Sequence, residues 1–214
     1  MVRALDALDE NGMVAIVGCF YTGQDYRLTD EAAVVRAVDE TTQWLLETGH
    51  RNIIVEVANE VCPAHFVHDI LKPDRVGELV ARVKSTTLDG RRLFASTSLT
   101  PGSTVNEAVT RVSDVVLPHG NGQTPDGHKR LVESIRRMEA YRARPQPIVF
   151  NEAGVEVECL DAALESYASW GYYDHGKNNY RDGFQSPPVN WTINTPTKGA
   201  FFGRVKEITQ GGWR

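Results

Sequence analysis

Asn52-Ile53-Ile54-Val55-Glu56-Val57-Ala58-Asn59-Glu60 is the stretch whose reading decides the fold. Isoleucine and valine crowd its centre, Cys62-Pro63 breaks the chain just beyond it, and the apolar run is too short for a helix. It therefore reads as a buried parallel strand. Its end is unusual, because an Asn-Glu pair closes a strand whose interior is otherwise almost wholly apolar. Catalytic carboxylates of parallel α/β barrels sit at the C-terminal mouths of such strands. Alone, Glu60 fits a solvated loop glutamate better.

A second stretch repeats the design. Pro147-Ile148-Val149-Phe150-Asn151-Glu152-Ala153-Gly154 is a proline-led apolar run, then a polar pair ending in Glu, then small residues that let the chain turn away. Two strands thus deliver one glutamate each to the same kind of end. Cleavage of a glycosidic bond needs such a pair: one carboxyl protonates the leaving oxygen while the other attacks the anomeric carbon or activates water.

On these residues the chain resembles clan A of the glycoside hydrolases, the retaining (β/α)8 TIM-barrel enzymes that include cellulases, mannanases and galactanases. The resemblance runs from about Met13 to about His175 and takes in Ser169-Trp170-Gly171, which is similar to the eighth strand with its sugar-platform tryptophan. It implies that Asn59-Glu60 ends the fourth strand, with Glu60 as acid/base and Asn59 on the sugar 2-hydroxyl. It also implies that Glu152 ends the seventh strand as the nucleophile, with no cofactor and no metal. The sequence departs from the clan at several points. The second-strand arginine lies outside this chain, Cys19-Phe20-Tyr21 stands where a histidine is frequent, and Val61 stands where proline is frequent. His119-Gly120-Asn121 lacks the tyrosine that orients the nucleophile.

The whole chain is compatible with that expectation. It has 214 residues, 41% hydrophobic and 24% charged, which is one domain's worth of ordinary globular chain. No apolar run approaches the roughly 20 residues that cross a bilayer, so membrane insertion is not expected. A formal net charge of −5 without a Lys/Arg-rich run argues against nucleic acid as a partner. A neutral carbohydrate needs no cationic field. Cys19, Cys62 and Cys159 are too few and scattered for a disulfide framework or a structural zinc site. The start of the chain lacks a basic and apolar leader. The expected protein is soluble, cytoplasmic or exported by a signal lying upstream.

In order along the chain, Leu5 and Leu8 at helical spacing before Asn11-Gly12 open on a helix. Met13 to Tyr21 is an apolar strand whose end offers Tyr21 and Gln24 as substrate contacts. Thr29 or Asp30 caps a helix with a face of Val34, Val38, Leu45 and Trp44. Helices are also expected from Val76 to Val83, Val105 to Val112, Leu131 to Met138, 156–167 and Thr197 to Thr209, with strands starting near 92, 114, 147 and 168. His119 and Asn121, just past the strand near 114, are candidate sugar contacts, as is Trp170. The Gly/Asn/Pro-rich stretch 174–196 with Phe184 and Trp191 is long enough for a functional loop.

The expected class is therefore α/β, an incomplete TIM barrel over residues 1–214 with six parallel strands that correspond to strands three to eight. A closed barrel has eight strands and typically about 250 residues. A missing N-terminal segment or a second chain would cover the open edge. Two other readings stay open at this stage. One is a non-catalytic carbohydrate-binding or vestigial barrel fragment, and the other a metal-dependent lyase or isomerase using His65, His68 and Glu60.

Overall fold

The computed structural model describes residues 1–103, 106–174 and 192–210. Strands and helices alternate: α1 (Val2–Glu10), β1 (Ala15–Phe20), α2 (Glu31–Glu47), β2 (Ile53–Ala58), α3 (Val76–Ser85) and β3 (Phe94–Ser96). Then come α4 (Glu107–Val112), α5 (Pro125–Arg137), α6 (Glu139–Ala143), β4 (Val149–Gly154), α7 (Val157–Glu165), β5 (Ser169–Tyr172) and α8 (Pro196–Gln210). Every strand pairing between these elements is parallel, with β1-β2-β3 in one sheet and β4-β5 in another. This is the geometry that helical crossovers impose. Among the described residues, no helix is long and apolar enough to cross a membrane.

The strand expected near residue 114 does not form as a regular strand. Instead, isolated parallel bridges join Leu117 to Ser98, Val116 to Ile148 and His119 to Glu152. The physical reason lies in the side chains of Ser96 and Asp114, which take the places of ladder hydrogen bonds between β3 and this segment. Ser96 Oγ donates to the Val115 carbonyl at 2.6 Å and Thr97 Oγ1 to the Ala58 carbonyl at 2.7 Å, while the Asp114 carboxylate accepts the Ala95 N–H at 3.1 Å. Short polar side chains offer the backbone an alternative to the sheet. The described strands thus form sheets of three and two rather than one six-stranded arc.

β2 has partners on both edges and is buried except at Ile54. Val55 and Val57 lie on the face covered by α2 and α3, where Val34, Val38, Leu45, Leu79, Val80 and Val83 are all buried. Burying each such side chain contributes about 1.5–3 kcal/mol. The opposite face is different: Ile16, Ile54 and Phe94 form one row across the sheet, and Phe94 is 54% exposed. Trp44 lies at the rim of α2, 38% exposed, instead of in the core. Thr42, whose hydroxyl donates to the Val38 carbonyl at 2.6 Å, sits on the buried face instead.

α6 was not foreseen as a separate helix. Met138 has extended backbone between α5 and α6, and the Glu107 carboxylate of α4 accepts the N–H groups of Glu139 and Ala140, both at 2.8 Å. That cap comes from residues more than thirty positions away, and it satisfies amide groups that a helix start leaves unpaired.

Candidate active site

Glu60 follows β2 in the left-handed backbone region, with φ of 53°. That conformation is disfavoured for a side chain larger than glycine and persists only where its surroundings hold it. Here its N–H donates to Ser98 Oγ at 3.0 Å, its carbonyl lies 2.8 Å from His65 Nδ1, and the next N–H, of Val61, reaches the Ser98 carbonyl at 2.9 Å. The outcome is a carboxylate turned out of the strand at the sheet's C-terminal edge.

Glu152 arrives from β4, paired with His119 across a parallel bridge, and the Gly120 N–H donates to its carbonyl at 2.8 Å. β5 approaches β4 so closely here that a Cβ on Gly171 would lie 2.4 Å from the Asn151 carbonyl oxygen, so only glycine fits. Phe150, fully buried just before the Asn-Glu pair, packs its ring against His128 (4.9 Å between centroids) and Trp170 (5.9 Å). The carboxylate therefore follows a fully buried ring, within the stretch where the β4-β5 register shifts.

His119 stands between the two acids. Its Nδ1 is 3.1 Å from Glu60 Oε1 and 3.8 Å from Glu152 Oε2, and its side chain is fully buried, whereas each glutamate side chain keeps 21% exposure. One ligand-type atom from each of Glu60, His119 and Glu152 lies within 4.8 Å of the others. Asn121 Nδ2 donates to Glu152 Oε1 at 2.8 Å. The sequence pointed to Asn121 as a sugar contact; in the structure its N–H is donated to Glu152, and its Oδ1 has no partner among the described residues.

The other candidates occupy different positions. Asn59 is half-buried, and its main chain ties the loop after β1 to the loop after β2 through Phe20 and Thr22. Tyr21 and Gln24 are exposed on that first loop. Trp170 is half-buried, with its indole N–H donated to the Gly154 carbonyl at 3.2 Å and its ring against His128 and Phe150. His65 and His68 serve the loop, the latter 3.3 Å from the Leu28 carbonyl, and neither belongs to the group around Glu60 whose spacing would suit a cation. Phe184 and Trp191 lie outside the described residues.

Two functional-looking residues escaped the sequence reading. Asp25, 1% exposed, accepts the N–H groups of Val67 and His68 at 2.8 and 2.9 Å and clamps the two loops together. Glu56, 7% exposed, lies on β2 beneath the pair. Its mid-strand position between two valines gave a hint that nothing else in the sequence reinforced.

Burial pushes the Glu56 carboxyl above the ordinary carboxylate range; Ser98, His119 and Asn151 nearby pull it down without prevailing, and Glu152 adds to the rise. The folded chain then holds a proton that the unfolded chain releases near its ordinary pKa. Stability falls as pH rises from that value through the folded one. A Glu56→Gln variant lacks this loss, so its Tm should exceed that of the wild type at about pH 8 and converge with it at about pH 4. Thermal melts of both proteins across that range check it, and parallel curves would show that Glu56 does not titrate differently on folding.

No family model and no curated protein matches this sequence. Among solved structures, the fold is similar to the apo form of an endo-beta-N-acetylglucosaminidase from Cordyceps militaris, with TM-score 0.49 and 10% identity. The match covers 78% of this chain, which spans 63% of that protein's length.

Proposed function

We propose that the chain is a glycoside hydrolase that cleaves β-glycosidic bonds of an oligo- or polysaccharide with retention, on a TIM-barrel-like fragment of parallel strands. The observation that carries this reading is the proximity of Glu60 and Glu152, one oxygen of each lying within 4.8 Å of the other and of a His119 ring nitrogen. Retaining pairs stand about 5–5.5 Å apart, whereas inverting pairs stand about 6.5–9.5 Å apart to admit a water. Nearest oxygens within 4.8 Å of one another favour the retaining arrangement, with a sugar carbon at one carboxylate and a leaving oxygen at the other.

In the first step, Glu152 Oε2 forms a bond to the anomeric carbon while the aglycone oxygen departs with the proton of Glu60. Water then attacks the glycosyl-enzyme, gives its proton to Glu60 and frees Glu152. Asn121 holds Oε1 of Glu152, which leaves Oε2 as the attacking oxygen. This amide does what a phenol does in the resembled clan. Asn59 takes the sugar 2-hydroxyl, and the exposed part of Trp170 takes the ring face.

Asn121→Ala removes a hydrogen bond to a charged group, worth about 1.5–3 kcal/mol. Hydrolysis should fall about 10- to 100-fold, and Asn121→Asp, which sets a like charge beside Glu152, should cost more and recover in part as pH falls. Steady-state kinetics across pH check both variants.

The reading itself is tested by exposing the protein to a panel of aryl 2-deoxy-2-fluoro-β-glycosides and mapping the adduct by peptide mass spectrometry. A label on Glu152 that appears together with loss of activity is the expected result. Absence of aryl release and of label across the panel, with sugar binding retained, would put the non-catalytic carbohydrate-binding reading in its place.

A further inference from the structure

Two buried polar atoms beneath the carboxylate pair have no hydrogen-bond partner among the described residues: Oε1 of Glu56 and Nε2 of His119. With exposures of 7% and 1%, neither group turns to bulk water. An unpaired buried donor or acceptor costs about 1–3 kcal/mol, so such atoms usually serve something. The imidazole's other nitrogen faces two carboxylate oxygens, at 3.1 and 3.8 Å. In the neutral ring, donation from that nitrogen leaves Nε2 as an acceptor. What Nε2 needs is a donor.

A carboxylic acid kept neutral by its surroundings is such a donor. The groups facing Glu56 are Cys19 from β1, Ser98 beyond β3, His119 from the bridged segment, and Asn151 and Glu152 from β4. The Cys19 thiol, pushed up to about 12 by burial and by Glu56, is neutral, and no lysine or arginine stands among the groups. Ser98, His119 and Asn151 offset a buried charge on Glu56 only in part.

We propose that Glu56 is a positioning residue: its buried carboxyl donates to Nε2 of His119 through one bridging water, and so holds the imidazole in the tautomer that donates from Nδ1 to Glu60. A buried carboxyl that sets the tautomer of a histidine is the logic of catalytic triads. Here its consequence is directional. With Oε1 of Glu60 engaged by His119, the proton bound for the leaving group sits on Oε2. The catalytic consequence rests on the glycosidase reading, whereas the tautomer does not.

Long-range proton–nitrogen correlation NMR reads that tautomer, with His119 identified by its absence in His119→Asn. In the wild type at about pH 7 the His119 proton is expected on Nδ1. Glu56→Gln, whose amide still donates, should keep that tautomer and most of the turnover. Glu56→Leu should release it to a mixture and lower kcat about 10- to 100-fold with KM nearly unchanged, the scale of a misaligned catalytic group. A wild-type proton on Nε2 would overturn the proposal, as would a folded Glu56→Leu variant with unaltered tautomer and kcat. Should the leucine variant fail to fold, the wild-type and glutamine spectra still decide. Expected tautomers in a protein that hydrolyses no glycoside would support Glu56 as a positioning residue while removing the glycosidase reading.

Discussion

Glu152→Gln should slow hydrolysis of activated aryl β-glycosides by on the order of 10⁴-fold or more, the scale of removing a covalent nucleophile. The amide is nearly isosteric, still accepts from Asn121, and retains the packing of Phe150 beneath it, so the loss reports chemistry instead of folding. Glu60→Gln should differ in kind. A good phenolic leaving group departs without a proton, so the first step survives, and the second stalls because no base activates water. The expected signature is a burst of phenol, then slow turnover that added azide accelerates while forming a β-glycosyl azide. Equal, featureless losses in both variants would break the assignment of distinct roles. A Glu60→Gln variant whose product has the opposite anomeric configuration would point to inversion.

Phe150→Ala should cost about 3–5 kcal/mol of folding stability, the range for deleting a buried aromatic ring. Phe150 is fully buried in β4, its ring meets His128 at an interplanar angle of 65°, and Trp170 closes over it. The same ring lies 3.2 Å from where a Cβ on Gly120 would be, so the cavity would open directly under the His119–Asn121 turn. Urea unfolding measures the cost through the midpoint shift at constant slope. Phe150→Leu, which fills most of the space, should lose less than about 1.5 kcal/mol. An alanine variant that loses under about 1 kcal/mol would mean that β4 is not packed as described.

Glu60 and Glu152 reach the site by different routes, and the difference shows what each level of description can carry. Both glutamates were found in the sequence because apolar runs of strand length precede them, a local signal that needs no knowledge of neighbours. The side chains that act on them were not legible in the same way. Asn121 read as a sugar contact because a polar residue past a strand offers no sign of which carboxylate it will meet, and only the parallel bridge between His119 and Glu152 sets their separation. The left-handed backbone of Glu60 is likewise imposed by Ser98 and His65, not by the identity of residue 60.

By itself, then, the sequence determined the alternation of strands and helices, the parallel crossovers and the two acidic strand ends, because periodicity and turn residues act within one element. The tertiary structure decided what depends on groups far apart in the chain. It broke the strand near 114 into bridges by inserting Ser96 and Asp114 into the ladder, capped α6 with Glu107, and left Trp44 at the rim of α2. It also buried Glu56 beneath the pair, where loss of solvent raises its carboxyl pKa, and set His119 between two carboxylates. Neither burial nor distance is a property of any residue alone.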